Sequence, residues 1–327
     1  MAERTSITQV LQLGLETTPG TSVAASKFLP SVMVNTGLDG NFTEQRGSGN
    51  KFPINYIPGK EWAVGSLSGN PTYDELAYLL SAILVKVTPT TVGTTGRSWV
   101  MAPSSTAEDV VATYTVEQGS AIRAQKFTFG QFTALSLSGT REEISMSGDV
   151  IGKGFTDGIT LTAAPTSIPQ IPLLPKHTEI WMDDTVGAIG TTKMTRALSW
   201  EISLSNRFTP LWVVDSAQTS YVASMEQAID AGFTAKFEAD VQGMGLLTTA
   251  RSGAKKFVRV KVTSDQNAGT AIPYSLQWDM CCQVKGFPNA IDDQDGVYAV
   301  EWEMGMVHDS TWGKAQSVTL VNTTNAL

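Results

Sequence analysis

The chain has 327 residues, of which 42% are hydrophobic and 17% charged, so it is long enough for two domains that each bury a core. Its formal net charge of −8 argues against a protein that holds nucleic acid tightly, and no run of about 18 apolar residues predicts a membrane-spanning helix. The polar N-terminal segment lacks the charged-then-apolar pattern of a secretion signal, so we expect the chain to be made and kept in the cytoplasm.

Residues 1–30 are predicted to form an N-terminal arm. The run from Gly14 to Thr21 is rich in turn formers, and Pro19–Gly20 is its strongest turn signal. Such a segment has too little apolar surface to make a core by itself, so we expect it to dock elsewhere or to stay mobile.

Residues 31–155 are predicted to form a first β-rich domain. Alternation and β-favouring side chains place its strands at residues 33–44, 60–68, 111–118, 125–138 and 143–151. One helix is expected after the second strand, with Asn70 as N-cap and Pro71 at the first helical position. Its apolar residues fall three and four apart and predict a single stripe lying on a sheet, formed by Tyr73, Leu76, Ala77, Leu80 and Ile83.

Residues 156–176 are predicted to be an extended connector. Its prolines are too closely spaced for a central strand or a helix interior, and they are Pro165, Pro169, Pro172 and Pro175. Residues 177–327 follow as a second β-rich domain with a C-terminal tail. Its strands are expected at 198–204, 234–241, 257–262, 274–284 and 297–306, with a short, weak helix at 243–250. The two domains share one order of elements, which indicates a duplicated β scaffold.

No motif in the sequence predicts a catalytic, cofactor-binding or metal-binding site. The run Gly148–Gly154 has three residues between its first two glycines instead of the four of a phosphate loop, so a strand end is expected there. Asp292–Gly296 lacks the ligand spacing of a calcium loop and predicts an acidic hairpin turn, with an irregular cation site as the alternative. His177 and His308 are the only histidines, too few for a zinc cluster.

Adjacent acidic pairs and cysteines also have structural explanations. Asp183–Asp184 and Glu142–Glu143 are expected to be solvated turn charges, because acid–base chemistry needs one carboxyl in an apolar environment and one in water. Cys281–Cys282 is expected on a strand, where neighbouring side chains point to opposite faces, so we interpret both as reduced packing residues. We therefore do not expect an enzyme.

The eight tryptophans permit a different interpretation, since exposed aromatic rings stack on sugars. Trp200, Trp278 and Trp302 lie within alternating strands, however, where burial or packing at a subunit contact is more common. Sugar binding stays open as an alternative.

Three features together resemble the major tail tube proteins of long-tailed, siphovirus-type bacteriophages. They are the run Gly14–Thr21 followed by Phe28–Pro30, the run from Glu61 through Gly69 into the helix, and a closing strand at Val297–Met306. The resemblance covers most of the chain. It implies a mainly β fold of two tandem β-sandwich domains, each flanked by an α-helix, whose inner strands form a β-barrel when subunits assemble into a ring.

The resemblance also implies a function and partners. The chain would assemble in the host cytoplasm and polymerise into stacked rings of the virion tail, the conduit for genome delivery. A doubled domain implies a trimer with pseudo-sixfold symmetry, with a hexamer as the alternative. Further partners would be the tape measure protein, the tail terminator or tip proteins, and viral DNA passing an acidic lumen without specific binding. We expect no cofactor and no membrane partner. The alternative is another β-rich virion or surface protein with a carbohydrate-binding role.

Contacts between subunits or rings are assigned to the arm, the loop Arg46–Tyr56 and the connector. The candidate residues are Leu15, Glu16, Pro19, Phe28, Leu29, Arg46, Phe52 and Tyr56. Disorder before assembly would keep these contacts inactive in the monomer.

Overall fold

The structure is a computed structural model that describes residues 7–215, 220–286, 292–294 and 296–327. The fold is mainly β, as the sequence predicts, with two α-helices among the described residues. Neither helix has both the length and the apolar composition that crossing a bilayer requires.

The described residues of the first part of the chain form ten strands and one helix. They are β1 (Val10–Leu15), β2 (Lys27–Leu29), β3 (Val32–Gln45), β4 (Asn55–Gly69), α1 (Glu75–Ser81), β5 (Thr90–Val92), β6 (Gly96–Met101), β7 (Tyr114–Gly119), β8 (Ala124–Gly139), β9 (Ile144–Asp157) and β10 (Thr166–Ser167). The second part contains β11 (Thr178–Asp183), β12 (Lys193–Met194), β13 (Ala197–Ser205), β14 (Phe208–Leu211), β15 (Ala223–Glu226), β16 (Asp230–Glu238), α2 (Val241–Ser252), β17 (Lys256–Gly269), β18 (Ile272–Gly286), β19 (Asp292–Gln294), β20 (Val297–Met306) and β21 (Gln316–Asn322).

One order of antiparallel strand pairs occurs twice in the chain. The first series runs β1–β7–β8–β9–β4–β3, and the second runs β11–β17–β18–β20–β16–β13. Helix α1 follows β4 as α2 follows β16, so the helices also occupy matching places. The two series that the sequence predicts in one order therefore also share one pattern of strand pairing.

The two series are joined into one sheet by β8 and β13. Leu135–Gly139 of β8 pairs with Trp200–Leu204 of β13, which produces the continuous order β3–β4–β9–β8–β13–β16–β20. The series also interlock elsewhere, because β6 from the first part pairs with β21, which pairs with β18. The division of the chain into independent domains at residues 156–176 stays a prediction.

Helix α1 begins later than the sequence predicts. Thr72 and Glu75 form a reciprocal cap: the Thr72 amide donates to Glu75 Oε2 at 2.8 Å, and the Glu75 amide donates to Thr72 Oγ1 at 3.3 Å. Asn70, the expected cap, instead donates to the carbonyl of Ile144. The five residues of the predicted apolar stripe are buried, as expected. All seven helical residues are buried, however, so protein covers the other sides of the helix too.

Helix α2 is longer than the predicted 243–250. The Asp240 side chain accepts a hydrogen bond from the Gly243 amide at 2.8 Å, which caps a helix beginning at Val241. The helix ends at Ser252 and is capped by Gly253, whose φ of 64° lies in the left-handed region that favours glycine. The sequence prediction assigned Val241 to the preceding strand and so missed this cap.

The core contains the large aromatic side chains of both series. Trp200, Trp278 and Trp302 are buried, as predicted, and Trp99 is buried with them. Three of these indoles donate hydrogen bonds inside the protein: Trp99 to Asn322 Oδ1, Trp278 to Gln316 Oε1 and Trp302 to the Gly243 carbonyl. Cys281 and Cys282 are buried, unbridged residues of β18, as expected.

The predicted connector packs along the first series. Strand β10 pairs in parallel with β2, and Pro172 forms a bridge with Thr72 beside α1. Ile168 and Leu173 are buried. Proline spacing keeps this segment extended, and its apolar residues attach it to the protein.

Candidate assembly surfaces

The arm candidates are mostly bound to their own chain. Strand β1 lies between β7 and β2, with Leu11 and Leu13 buried. Leu15 and Phe28 are half-buried, Leu29 is fully buried, and Pro19 is exposed. The sequence prediction missed β1, although the apolar alternation of Leu11, Leu13 and Leu15 is typical of a strand.

Glu16 is buried and organises the turn that follows β1. Its Oε1 accepts hydrogen bonds from Thr115 Oγ1 at 3.0 Å and the Phe129 amide at 2.9 Å, and its Oε2 accepts one from the Gly20 amide at 2.7 Å. A carboxylate with three donors is satisfied within the chain. In the folded monomer, therefore, Glu16 holds the turn in place and is not presented to a neighbour.

The loop candidates lie together on an exposed hairpin tip, which we define as residues 40–58, the end of β3, the loop that follows it and the start of β4. Arg46 forms a surface ion pair with Glu44, while Phe52 and Tyr56 are 75% and 63% exposed. Three further apolar side chains on the tip were missed by sequence reasoning and are also exposed, namely Phe42, Ile54 and Ile57. A cluster of exposed apolar side chains on a projecting hairpin is typical of an interaction surface.

The continuous sheet has one face against the core and one open face. Along its strands, core residues such as Leu67, Leu135 and Ile202 alternate with small polar residues. The polar positions define the open face: Ser66, Ser68, Ser136, Ser138, Ser145, Ser147, Ser203, Ser205 and Thr234. The face crosses the β8–β13 junction without interruption, and there Ser136 Oγ donates to Glu201 Oε1 at 2.5 Å.

Acidic residues outnumber lysines on the open face. The acidic positions are Asp39, Asp149, Glu201, Asp230, Glu238, Asp292, Glu301 and Glu303, and the lysines of these strands include Lys236 and Lys285. Short hydroxyl side chains between carboxylates offer a phosphate backbone little to bind, since neutral and negative groups release no counterions from it.

A cleft of about 900 Å³ lies between residues 103–108 and β15, but the buried cation that lines it, Arg207, is already satisfied. Arg207 donates to the carbonyls of Ile83 at 2.9 Å and Leu84 at 3.0 Å, and it pairs with Asp109 and Glu226. The guanidinium thus ties β14 and β15 to the segment after α1. It leaves no free charge for an anionic ligand.

The motifs considered for chemistry have structural roles. The run Gly148–Gly154 is part of strand β9. Gln294 pairs with Val297, and the Gly296 amide donates to Asp293 Oδ1 at 2.8 Å, so this region is a hairpin turn as expected; Asp295 lies outside the described residues. Within the described ranges, no group of three or more His, Cys, Asp or Glu residues could hold a metal ion.

Asp183 corrects one expectation, because it is buried instead of solvated. Its carboxylate accepts hydrogen bonds from the amides of Gly190, Thr191 and Thr192 and from Thr191 Oγ1. Burial by itself raises the pKa of this carboxyl, but the hydrogen bonds from Thr191 and Thr192 lower it further than burial raises it. Asp183 therefore stabilises the loop before β12 as a carboxylate.

No protein-family model matches the chain, and no curated protein matches it either.

Proposed function

We propose that the chain is a structural virion protein that polymerises into stacked rings and forms a phage tail tube, the conduit for genome delivery. The observation that carries the proposal is the open face, on which hydroxyl and acidic side chains run across the β8–β13 junction while the other face of the sheet packs against the core. Half-buried Met33, Val64 and Ile151 lie among them on β3, β4 and β9. A sheet that packs one face against the core and turns a mainly polar face to solvent is suited to line a water-filled channel.

The charge of the open face supports passage of DNA without adhesion. Tight binding to a phosphate backbone requires clustered Lys and Arg, whereas the described open face carries mainly carboxylates and hydroxyls. DNA would slide along this wall instead of binding to it. The doubled series supports a ring of three chains with pseudo-sixfold symmetry.

The hairpin tip supports stacking of one ring on the next. Burying Phe52 and Ile54 against a neighbouring ring would remove apolar surface from water, worth about 1.5–3 kcal/mol per side chain when burial is complete. The arm candidates contribute less to this idea, because Glu16 and Leu29 are bound inside the subunit.

The test is negative-stain electron microscopy of the purified chain during concentration, with the double variant Phe52→Ser/Ile54→Ser alongside. We expect hollow stacked tubes from the wild type, threefold ring averages, and a critical concentration at least roughly tenfold higher for the variant. Val110→Ser is the matched control, since Val110 is 74% exposed at a different surface.

Particles of fixed size that never stack would contradict the proposal, as would tubes that form equally well from the double variant. Deleting residues 1–30 is a poorer test, because it removes β1 and β2 and exposes the core.

A further inference from the structure

Two strand edges of the continuous sheet have no partner in the described part of the chain. Strand β3 pairs only with β4, and β19 pairs only with β20. Exposed edges of this kind are sites for pairing with another chain. Leu38 on β3 is 53% exposed, and Tyr298, which is opposite Asp293 of β19, is 74% exposed.

These two edges are equivalent to the two edges that meet inside the chain. Strand β3 holds the position in the first series that β13 holds in the second, since each borders the strand that precedes a helix. Strand β19 borders the start of β20 as the end of β8 borders the start of β9. The pairing of β8 with β13 inside the chain therefore shows how the equivalent strands of two copies could pair.

We propose that β19 of one copy pairs antiparallel with β3 of a second copy, in the register of the β8–β13 junction. The inference rests on the proposed ring, because the same head-to-tail junction repeated in every copy would close it. The partner of β19 in this pairing is a second copy of the same chain.

The register follows from one alignment of the two series, which places the core residue Ala63 of β4 on the core residue Phe233 of β16. With the pair Ala63–Gly152 placed on the pair Phe233–Met304, Leu38 is equivalent to Ile202 and Asp39 to Ser203. Through the same alignment of β9 with β20, Asp293 is equivalent to Leu137 and Asp292 to Ser136.

Inside the chain Ile202 is opposite Leu137 and Ser203 is opposite Ser136. Between copies, Leu38 is therefore opposite Asp293 and reaches towards Tyr298 on the core side. On the open face Asp39 is opposite Asp292, and Asp292 already pairs with Lys236 at 2.6 Å. One lysine is thus shared by two carboxylates at the junction.

The test is disulfide trapping on the open face. Asp39→Cys/Asp292→Cys is the junction pair, and Ser136→Cys/Ser203→Cys is the matched pair inside one chain. Asn35→Cys/Asp292→Cys is the out-of-register control, because Asn35 is exposed four residues along the same strand. The native Cys281 and Cys282 are buried, and burial raises the pKa of the Cys281 thiol to about 11, so both stay unreactive.

After mild oxidation we expect a non-reducing gel to show linked dimers and trimers for the junction pair, an internally bridged monomer for the matched pair, and no links for the out-of-register pair. Tubes without linked chains would overturn the junction and leave the tube proposal standing. Linked trimers that never stack would support the junction and overturn the tube. Neither tubes nor links, with the matched pair bridged, would overturn both.

Discussion

Asp74 shows how one buried residue fastens the C-terminal segment to α1. Its Oδ1 accepts hydrogen bonds from the Thr323 amide, Thr323 Oγ1 and Thr324 Oγ1, at 3.0, 3.0 and 2.9 Å. Its Oδ2 is buried with no hydrogen-bond partner in the described part of the chain. Burial raises the pKa of Asp74, and the hydrogen bonds from Thr323 and Thr324 oppose this only in part.

The raised pKa gives Asp74→Asn a defined pH dependence. A group with a folded-state pKa above its unfolded value contributes stability below the unfolded pKa and loses it as pH rises through the folded pKa. At pH 7 the wild type therefore carries the cost of a buried charge, whereas Asn keeps the Oδ1 acceptor without that charge. We expect Asp74→Asn to match or exceed wild-type stability at pH 7, with the difference shrinking towards pH 4.

Urea unfolding of the two proteins at several pH values measures this difference. Asp74→Ala is the control, because it leaves the Thr323 and Thr324 donors unpaired and should cost about 1–3 kcal/mol. An Asn variant that is less stable than wild type at pH 7 would show that the carboxylate charge itself is needed.

At the scale of elements, the β8–β13 junction depends on close packing between one glycine and one tryptophan. A Cβ atom added at Gly139 would lie 2.5 Å from Cε2 and Nε1 of Trp200. Trp200 is buried and directly opposite Gly139 in the register. The indole therefore occupies the space that a side chain at residue 139 would need.

Gly139→Ala is expected to lower the free energy of unfolding by about 1–3 kcal/mol, the usual effect of overpacking. Gly187→Ala is the control, since a Cβ there meets nothing within 4 Å. Thermal unfolding followed by circular dichroism compares the two variants. Equal melting temperatures for both would mean that Trp200 moves aside freely and that the junction is looser than its packing indicates.

At the scale of the whole molecule, the two parts of the chain contact each other at several places. Strands β8 and β13 pair directly, β6 pairs with β21, and the Asn322 side-chain amide (Nδ2) donates to the Tyr73 carbonyl at 3.0 Å. Producing the two halves as separate chains would remove these contacts. Each half would then expose both a sheet edge and part of the core.

We therefore expect one cooperative unfolding transition for the intact chain, with equal calorimetric and van't Hoff enthalpies. Residues 1–176 and 177–327 expressed separately should each lack a cooperative transition. Differential scanning calorimetry of the three proteins makes the comparison. Two independent transitions, reproduced by the separate halves, would instead support independent domains on either side of the connector.

The sequence by itself determined the elements that depend on local pattern. Strands such as β8, β13 and β17 alternate so regularly that their places follow from side-chain period alone, and the common order of the two series follows from them. The exposed candidates Arg46, Phe52 and Tyr56 were also accessible to sequence reasoning, because a glycine-rich loop between two strands projects into solvent.

Only the tertiary structure decided which residues become partners across long separations in the chain. The burial of Glu16, for example, depends on donors from Thr115 and Phe129, which lie 99 and 113 residues further along the chain. The composition of the open face and the register of the β8–β13 junction are likewise decided by pairing between distant strands. Side-chain period tells which residues share a face, but the pairing of distant strands determines which face meets the core and which edge stays free.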